Sequence, residues 1–284
     1  MVPMGDAIVY LAAAGTIAVI FLVAWRVSVA VHNASVADVA WPVAITAVAW
    51  VVYGLADGNR SRRLVLVTMA TVWGVRLAAH LAWRVWRHPE DHRYAMVRRR
   101  HASDFARWSL WAIFGAQAVA AWVVALPLQA GQVGDRPRAL TLAAVFGLAL
   151  FAVGFVFETV ADWQLARFRS RPGTEGRVLD QGLWAFSRHP NYFGEFCVWW
   201  GIFFVMAPVP GGFASVVSPM LMTLLLLRVT GVARTERTIR HRRPGYVAYS
   251  RVTNAFFPGP PRDEPHALEW GPPVQRRTRP EHHP

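Results

Sequence analysis

Ser187-Arg188-His189-Pro190-Asn191-Tyr192-Phe193-Gly194-Glu195 opens an apolar segment that continues to Val209. A charge near the centre of a bilayer costs at least about 2.5–3.5 kcal/mol on insertion scales. A glutamate one turn inside such a segment, beneath an Arg-His-Pro opening, points to a polar site cut into a bundle of membrane helices. Pro190 has no amide proton and suits the first turn of a helix. The helix then begins near Asn191 with its amides facing the preceding loop, an anion site to which Arg188 and His189 add donors. Asn191 and Glu195 are four residues apart and share a face. Gly194 beside them lets a ligand or a second backbone approach closely. The competing reading is an interfacial cluster in which Glu195 pairs with an arginine for packing alone.

The rest of the chain has the same character. Of its 284 residues 54% are hydrophobic, and mean hydropathy is positive at +0.27. The apolar residues come as long blocks rather than periodic stripes, which indicates an all-α polytopic membrane protein. Seven spans are expected, over about Ile8–Val29, Val36–Leu55, Leu64–Trp83, Trp108–Leu128, Leu140–Val160, Tyr192–Val209 and Phe213–Leu227. The turn signal Pro208-Val209-Pro210-Gly211-Gly212 separates the last two. Residues 1–262 form the membrane domain, with a cofactor motif region at about 140–261. The Pro-, Arg- and His-rich tail, 263–284, is expected to be disordered. No cleavable signal peptide is expected, because Met1–Asp6 lacks a basic start.

The formal charge is +13, with no lysine among the 30 cations. In a chain of this hydropathy the charge reads as topology rather than nucleic-acid binding. One side holds Arg87, Arg93, Arg98, Arg99, Arg100 and Arg107 after span three. It also holds Arg167, Arg169, Arg171, Arg177 and Arg188 after span five, and the Arg-rich tail. The other side holds only Arg60, Arg62, Arg63, Arg136 and Arg138. The expected topology is therefore N-terminus outside and C-terminus in the cytoplasm. The single Cys197 excludes an intramolecular disulfide and a zinc cluster.

Three further clusters can carry chemistry. Asp162, Gln164, Arg167, Arg169 and Arg171 follow span five, and the arginine fork suits phosphate oxygens. Glu236 lies among Arg234, Arg237, Arg240, Arg242 and Arg243, followed by Pro244-Gly245-Tyr246; Glu236 and Arg240 have helical pair spacing. In the N-terminal half Asp38 lies inside span two, Arg76 and His80 are one turn apart on span three, and Glu90-Asp91-His92-Arg93-Tyr94 forms a polar loop. Buried charges need partners, so Asp38 is expected to pair with Arg76. No Gly-x-Gly-x-x-Gly after a strand and no Walker loop is present, so a nucleotide would be held by helices and their loops.

Gly182-Leu183-Trp184-Ala185-Phe186-Ser187-Arg188-His189-Pro190-Asn191-Tyr192-Phe193-Gly194-Glu195, followed by Trp199-Trp200-Gly201, resembles the C-terminal domain of the steroid 5-alpha-reductase superfamily. It resembles more closely a bacterial branch of unknown function within that group. Trp73-Gly74-Val75-Arg76-Leu77, Glu90–Tyr94, Ala161–Gln164, Arg243–Tyr246 and Thr253–Pro258 agree with it. The resemblance covers about Asp38 to Pro261. It implies a seven-helix bundle of the bacterial inner membrane, holding NADPH in a pocket open to the cytosol. It also implies reduction of a carbon–carbon double bond in a lipid or sterol-like enone reached from the bilayer. In that pattern Asn191 and Glu195 contact the nicotinamide end. Arg76, Asp162, Arg169, Arg171, Arg188, His189, Tyr192, Glu236 and Tyr246 hold the rest of the cofactor.

The chain departs from steroid reductases at Trp73, which cannot supply the phenol they use to polarise the substrate carbonyl. Asp38, His80 and Tyr94 stand as unranked candidates for that role. Isoprenylcysteine carboxyl methyltransferases share an Arg-His-Pro-x-Tyr opening. An S-adenosylmethionine-dependent membrane methyltransferase is therefore the alternative, although Arg237 stands where those enzymes show a second glutamate. A lipid-binding or scaffold protein on the same fold is the non-enzymatic reading.

Overall fold

The computed structural model describes residues 4–229, 231–232, 236, 239 and 243–262. The tail expected to be disordered lies outside the described residues, as does Arg240, the expected partner of Glu236. Among the described residues every regular element is helical. The long helices are α1 (Met4–Ala30), α2 (Val36–Leu55), α3 (Arg60–Arg87), α8 (Leu142–Arg169) and α10 (Pro190–Met206). Shorter elements are α4 (His92–Arg100), α5 (Phe105–Ser109), α6 (Ala116–Val124), α7 (Leu126–Ala130), α9 (Leu183–Phe186), α11 (Val217–Leu224) and α12 (Tyr246–Val252). A π-helical turn, Leu110–Gly115, joins α5 to α6; a 3₁₀ turn, Gly212–Val216, precedes α11, and a second π turn, Leu225–Val229, follows it.

Five of these segments are long and apolar enough to cross a membrane: Ala7–Ala30, Val36–Leu55, Arg60–Arg87, Leu142–Arg169 and Gly212–Val229. Leu11 on α1 is 72% exposed and Phe213 is 70% exposed. Apolar surface of this kind on long helices belongs against lipid, so the chain is a multi-pass integral membrane protein. Two of the seven expected spans depart from that pattern. The expected sixth is α10, only 17 residues long, because Pro208 and Pro210 with Gly211 turn the chain. The expected fourth is broken into α5, a π turn, α6 and α7, with Pro127 at the start of α7 removing an amide from any continuous ladder.

Three expected loops or ends turn out helical. α8 continues past Val160 to Arg169, since no breaker occurs before Pro172, and so Asp162 and Arg169 sit on the helix itself. α3 likewise runs beyond Trp83 to Arg87. The polar segment after α3 folds as α4, whose N-terminus is capped by the Asp91 carboxylate accepting from the Arg93 amide at 2.9 Å.

Glycines set the closest helix contact. A Cβ built on Gly194 of α10 would lie 2.5 Å from the Glu158 amide nitrogen and 2.6 Å from the Gly154 carbonyl oxygen. One heptad along, a Cβ on Gly201 would lie 2.7 Å from the Gly147 carbonyl oxygen. Helices α8 and α10 therefore pack backbone to backbone, the small-residue mode of membrane helices. At one end of the bundle Arg62 donates to the carbonyls of Gly131, Pro137 and Gly134 at 2.8, 3.0 and 2.6 Å, binding the α2–α3 turn to the α7–α8 connection. The opposite end collects the start of α2, the end of α3, α4, the end of α8 and the start of α10. The polar residues converge there.

Candidate active site

Three helices contribute one polar network. Trp73, Arg76 and His80 share a face of α3 by their spacing; Glu158 and Asp162 do so on α8, and Asn191, Glu195 and Trp199 on α10. Arg76 donates to Glu158 Oε1 at 2.6 Å, to the Glu158 carbonyl at 2.8 Å and to Asp162 Oδ2 at 2.7 Å. Asn191 Nδ2 donates to Asp162 Oδ1 at 3.1 Å, and His80 Nε2 stands 3.7 Å from Asp162 Oδ2. Glu195 accepts one indole N–H on each oxygen, from Trp73 at 3.1 Å and from Trp199 at 3.0 Å. The two indoles meet edge to face at 5.1 Å. Trp73 therefore uses its indole N–H to orient Glu195.

A phenol comes from elsewhere. Tyr94 on α4 donates to Asp38 Oδ1 at 2.6 Å and accepts from Gln117 Nε2 at 3.1 Å. Asp38 Oδ2 accepts from Arg84 at 3.1 Å and Arg93 at 3.2 Å. The expected Asp38–Arg76 pair is thus replaced: the turn spacing carries Arg84, two turns beyond Arg76, to the start of α2, while Arg76 faces α8. Burial pushes the Tyr94 phenol well above its ordinary value, and the Asp38 charge adds to the shift. Tyr94 is accordingly a neutral hydrogen-bond donor. Burial lowers Arg93, but Asp38, Tyr94 and Asp91 outweigh it and hold the guanidinium protonated.

The Ser187–His189 segment clasps the end of the described chain. Arg188 donates from Nε to Glu236 Oε1 at 2.8 Å and from Nη1 to the carbonyls of Ser250 and Thr253 at 2.9 and 2.6 Å. Ser187 Oγ donates to the Phe256 carbonyl at 2.8 Å. His189 Nε2 lies 3.6 Å from Glu236 Oε1; burial holds its pKa below the ordinary imidazole value, only partly offset by Glu236. Burial raises Glu236, but the nearby His189 ring and the Arg188 hydrogen bond and charge hold it at about 2, below the usual 4.5. A carboxylate depressed in this way stabilises the fold above pH 4.5 and loses that contribution as pH falls towards about 2. Glu236→Gln is therefore expected to lower Tm above pH 4.5, with the two melting curves converging near pH 2. Thermal unfolding in detergent across that window checks it, and a Tm gap independent of pH would contradict it.

Two cavities flank these helices. A polar cleft of about 580 Å³ is lined by Arg84, Arg87, Arg169, Arg188 and Arg243, with His80, Asp162, His189 and Tyr246. Arg84 and Arg188 are paired with Asp38 and Glu236, and the remaining three arginines against Asp162 leave the cleft cationic. Arg169 and Arg87 have no ion pair among the described residues. A largely apolar cavity of about 540 Å³ is lined by Asp38, Arg93, Tyr94, Gln117, Glu158 and Glu195 among mostly aliphatic and aromatic side chains. Both π turns border it, through Ala112 and Ile113 on one side and Leu225, Leu226 and Val229 on the other; such turns are frequent at functional sites. Asn191 and Tyr192 line both cavities. They form the partition between a cationic cleft and an apolar chamber.

Of the residues singled out from the sequence, Asp162, Arg169, Arg188, His189, Asn191, Tyr192 and Tyr246 line the cleft, together with His80. Asp38, Tyr94 and Glu195 line the chamber. Arg76 lines neither: it sits behind the partition, bracing Glu158 and Asp162. Glu236 acts through Arg188. Arg171 is exposed beyond the end of α8 and outside both linings. Glu158 went unread, although an acid within an apolar span, four residues before Asp162, is itself a signal for a site.

The profile of a protein family of unknown function, DUF1295, matches residues 24–253. An uncharacterized protein of Schizosaccharomyces pombe is 26% identical over 268 residues, an alignment covering 83% of this chain and 76% of that protein. No solved structure matches.

Proposed function

We propose that this chain, which belongs to the DUF1295 family of proteins of unknown function, is an NADPH-dependent membrane reductase of a carbon–carbon double bond in a lipid or sterol-like enone. The observation that carries the reading is the shared wall. A cationic cleft and an apolar chamber meet at Asn191 and Tyr192, where a hydride donor in one would face an acceptor in the other. The donor set fits NADPH, whose pyrophosphate and 2′-phosphate suit Arg84, Arg87, Arg169 and Arg243. Bound there, the cofactor would supply the hydride. Asn191 and Glu195 would fix its carboxamide, and Tyr192 and His189, stacked in parallel at 5.3 Å, would back the ring. The likeness of the Gly182–Glu195 motif to steroid 5-alpha-reductases supports the same assignment.

The three carbonyl-polarising candidates separate by position. Tyr94 is the donor to the substrate oxygen, because its proton can turn from Asp38 into the chamber. Asp38, paired with Arg84 and Arg93, positions that phenol. His80 opens on the cleft instead and belongs with the cofactor. On this reading the chain crosses seven times, with α10 as a short crossing and the arginine-rich cleft on the cytoplasmic face of a bacterial inner membrane.

S-Adenosylmethionine has no phosphates for the cleft arginines and carries a sulfonium cation, so the donor set supports the reductase over the methyltransferase. The test is thermal stabilisation of the purified protein in detergent. NADPH is expected to raise Tm, and Arg169→Ala to weaken that shift by about tenfold in affinity, as loss of a charged contact implies. Stabilisation by S-adenosylmethionine with none by NADPH would overturn the proposal.

A further inference from the structure

Glu158 is 3% exposed and Glu195 is 8% exposed, and both face the apolar chamber. Their donors are unequal. Glu195 has an indole N–H on each oxygen. Glu158 has Arg76 on Oε1, while its Oε2 is shut off from solvent with no protein donor. The acid beside it is Glu195: a Cβ on the neighbouring Gly194 would lie 2.7 Å from the Glu158 Cβ, and both carboxyls line the same chamber. Two carboxylates there would both be acceptors; one proton between them satisfies Oε2 and relieves their repulsion. The helices cannot part to avoid it, since Gly194 and Gly154 hold the backbones together at this level.

We propose that Glu158 and Glu195 form a one-proton acid pair opening on the apolar chamber, and that Glu158 delivers this proton to the bound substrate. The proposal rests on the reductase reading. Once the β carbon of the enone has gained a hydride, its former π electrons lie on the enolate. The α carbon uses that electron pair to take the Glu158 proton; the O–H bond breaks and its electrons stay on the carboxylate. Arg76 neutralises the new charge. Solvent restores the proton from the cleft side, where Asp162 and His80 stand. The charged and titratable groups around the pair are Arg76 and His80 of α3, Asp162 of α8, and Asp38, Arg93 and Tyr94 across the chamber. Tyr94 holds the carbonyl oxygen and Glu158 serves the carbon, so two acids divide the work.

Infrared spectroscopy of the whole protein tests the pair without any substrate. At about pH 8 ordinary carboxyl groups are ionised, so a protonated-acid C=O band that shifts in D₂O isolates the pair. The band is expected in the wild type and absent from both Glu158→Gln and Glu195→Gln, because either change leaves one carboxylate with its own donors. No band in the wild type, or a band surviving in both variants, would overturn the proposal. The wild-type spectrum decides even if a variant fails to fold. For the donor role, a 4-en-3-one steroid is the probe. Glu158→Gln is expected to slow its reduction by about a hundredfold with NADPH affinity unchanged, and an unchanged rate would refute that role. Should the wild type reduce no enone, the reductase reading fails and the infrared result alone decides the acid pair.

Discussion

Tyr94→Phe is expected to lower enone reduction by about 10²–10³-fold, the cost of removing one donor to a developing oxyanion. The variant deletes one oxygen and leaves Asp38 with Arg84 and Arg93, so no buried charge is stranded and the fold should hold. It does strand the Gln117 amide, a neutral group and a smaller perturbation. Stabilisation by NADPH should match the wild type, because Tyr94 lines the chamber and not the cleft. The expected result is a fall in kcat with unchanged cofactor affinity. A variant that loses NADPH binding, or reduces the enone at the wild-type rate, would contradict the division of the site into two compartments. Asp38→Asn is a poorer test, since it leaves two arginines with an uncharged partner.

Gly194→Leu is expected to cost about 3 kcal/mol of stability, the upper part of the range for overpacking. The atoms that a side chain at 194 would meet are the Glu158 nitrogen and the Gly154 carbonyl, and backbone cannot rotate aside as a side chain can. Helices α8 and α10 must separate, which also pulls Glu158 and Asp162 from Arg76 and Asn191. Gly15→Leu provides the control, because nothing lies within 4 Å of a Cβ there. Unfolding in detergent should show a large loss of Tm for the first and little change for the second. Equal stability of the two would mean that α8 and α10 do not pack through their glycines.

The helices were legible because their signal is local: long apolar blocks ended by Pro208-Val209-Pro210-Gly211-Gly212 or by charged turns. Their lengths were less so. Hydropathy falls at Asp162, but nothing there breaks a helix, and α8 runs on to Arg169. Apolarity alone did not separate a continuous span from the α5–α7 segment with its π turn. Within the site, Asn191 and Glu195 were readable from their spacing and depth. The partners of Asp38 were not, because Arg84 and Tyr94 come from 46 and 56 residues away and the choice depends on how α3 is rotated against α2. Trp73 looked like a missing phenol and proves to be a donor to Glu195, 122 residues on. No local pattern encodes that contact.

The most direct measurement is transfer of label from NADPH. The purified protein would be incubated with NADPH deuterated at the reactive carbon and with lipids extracted from the membrane it is expressed in, and the products read by mass spectrometry. The expected result is an apolar product one double bond more saturated than its precursor, carrying one deuterium, formed by the wild type and strongly diminished in Tyr94→Phe. No deuterium in any lipid, with methyl label from S-adenosylmethionine appearing instead, would contradict the reductase account.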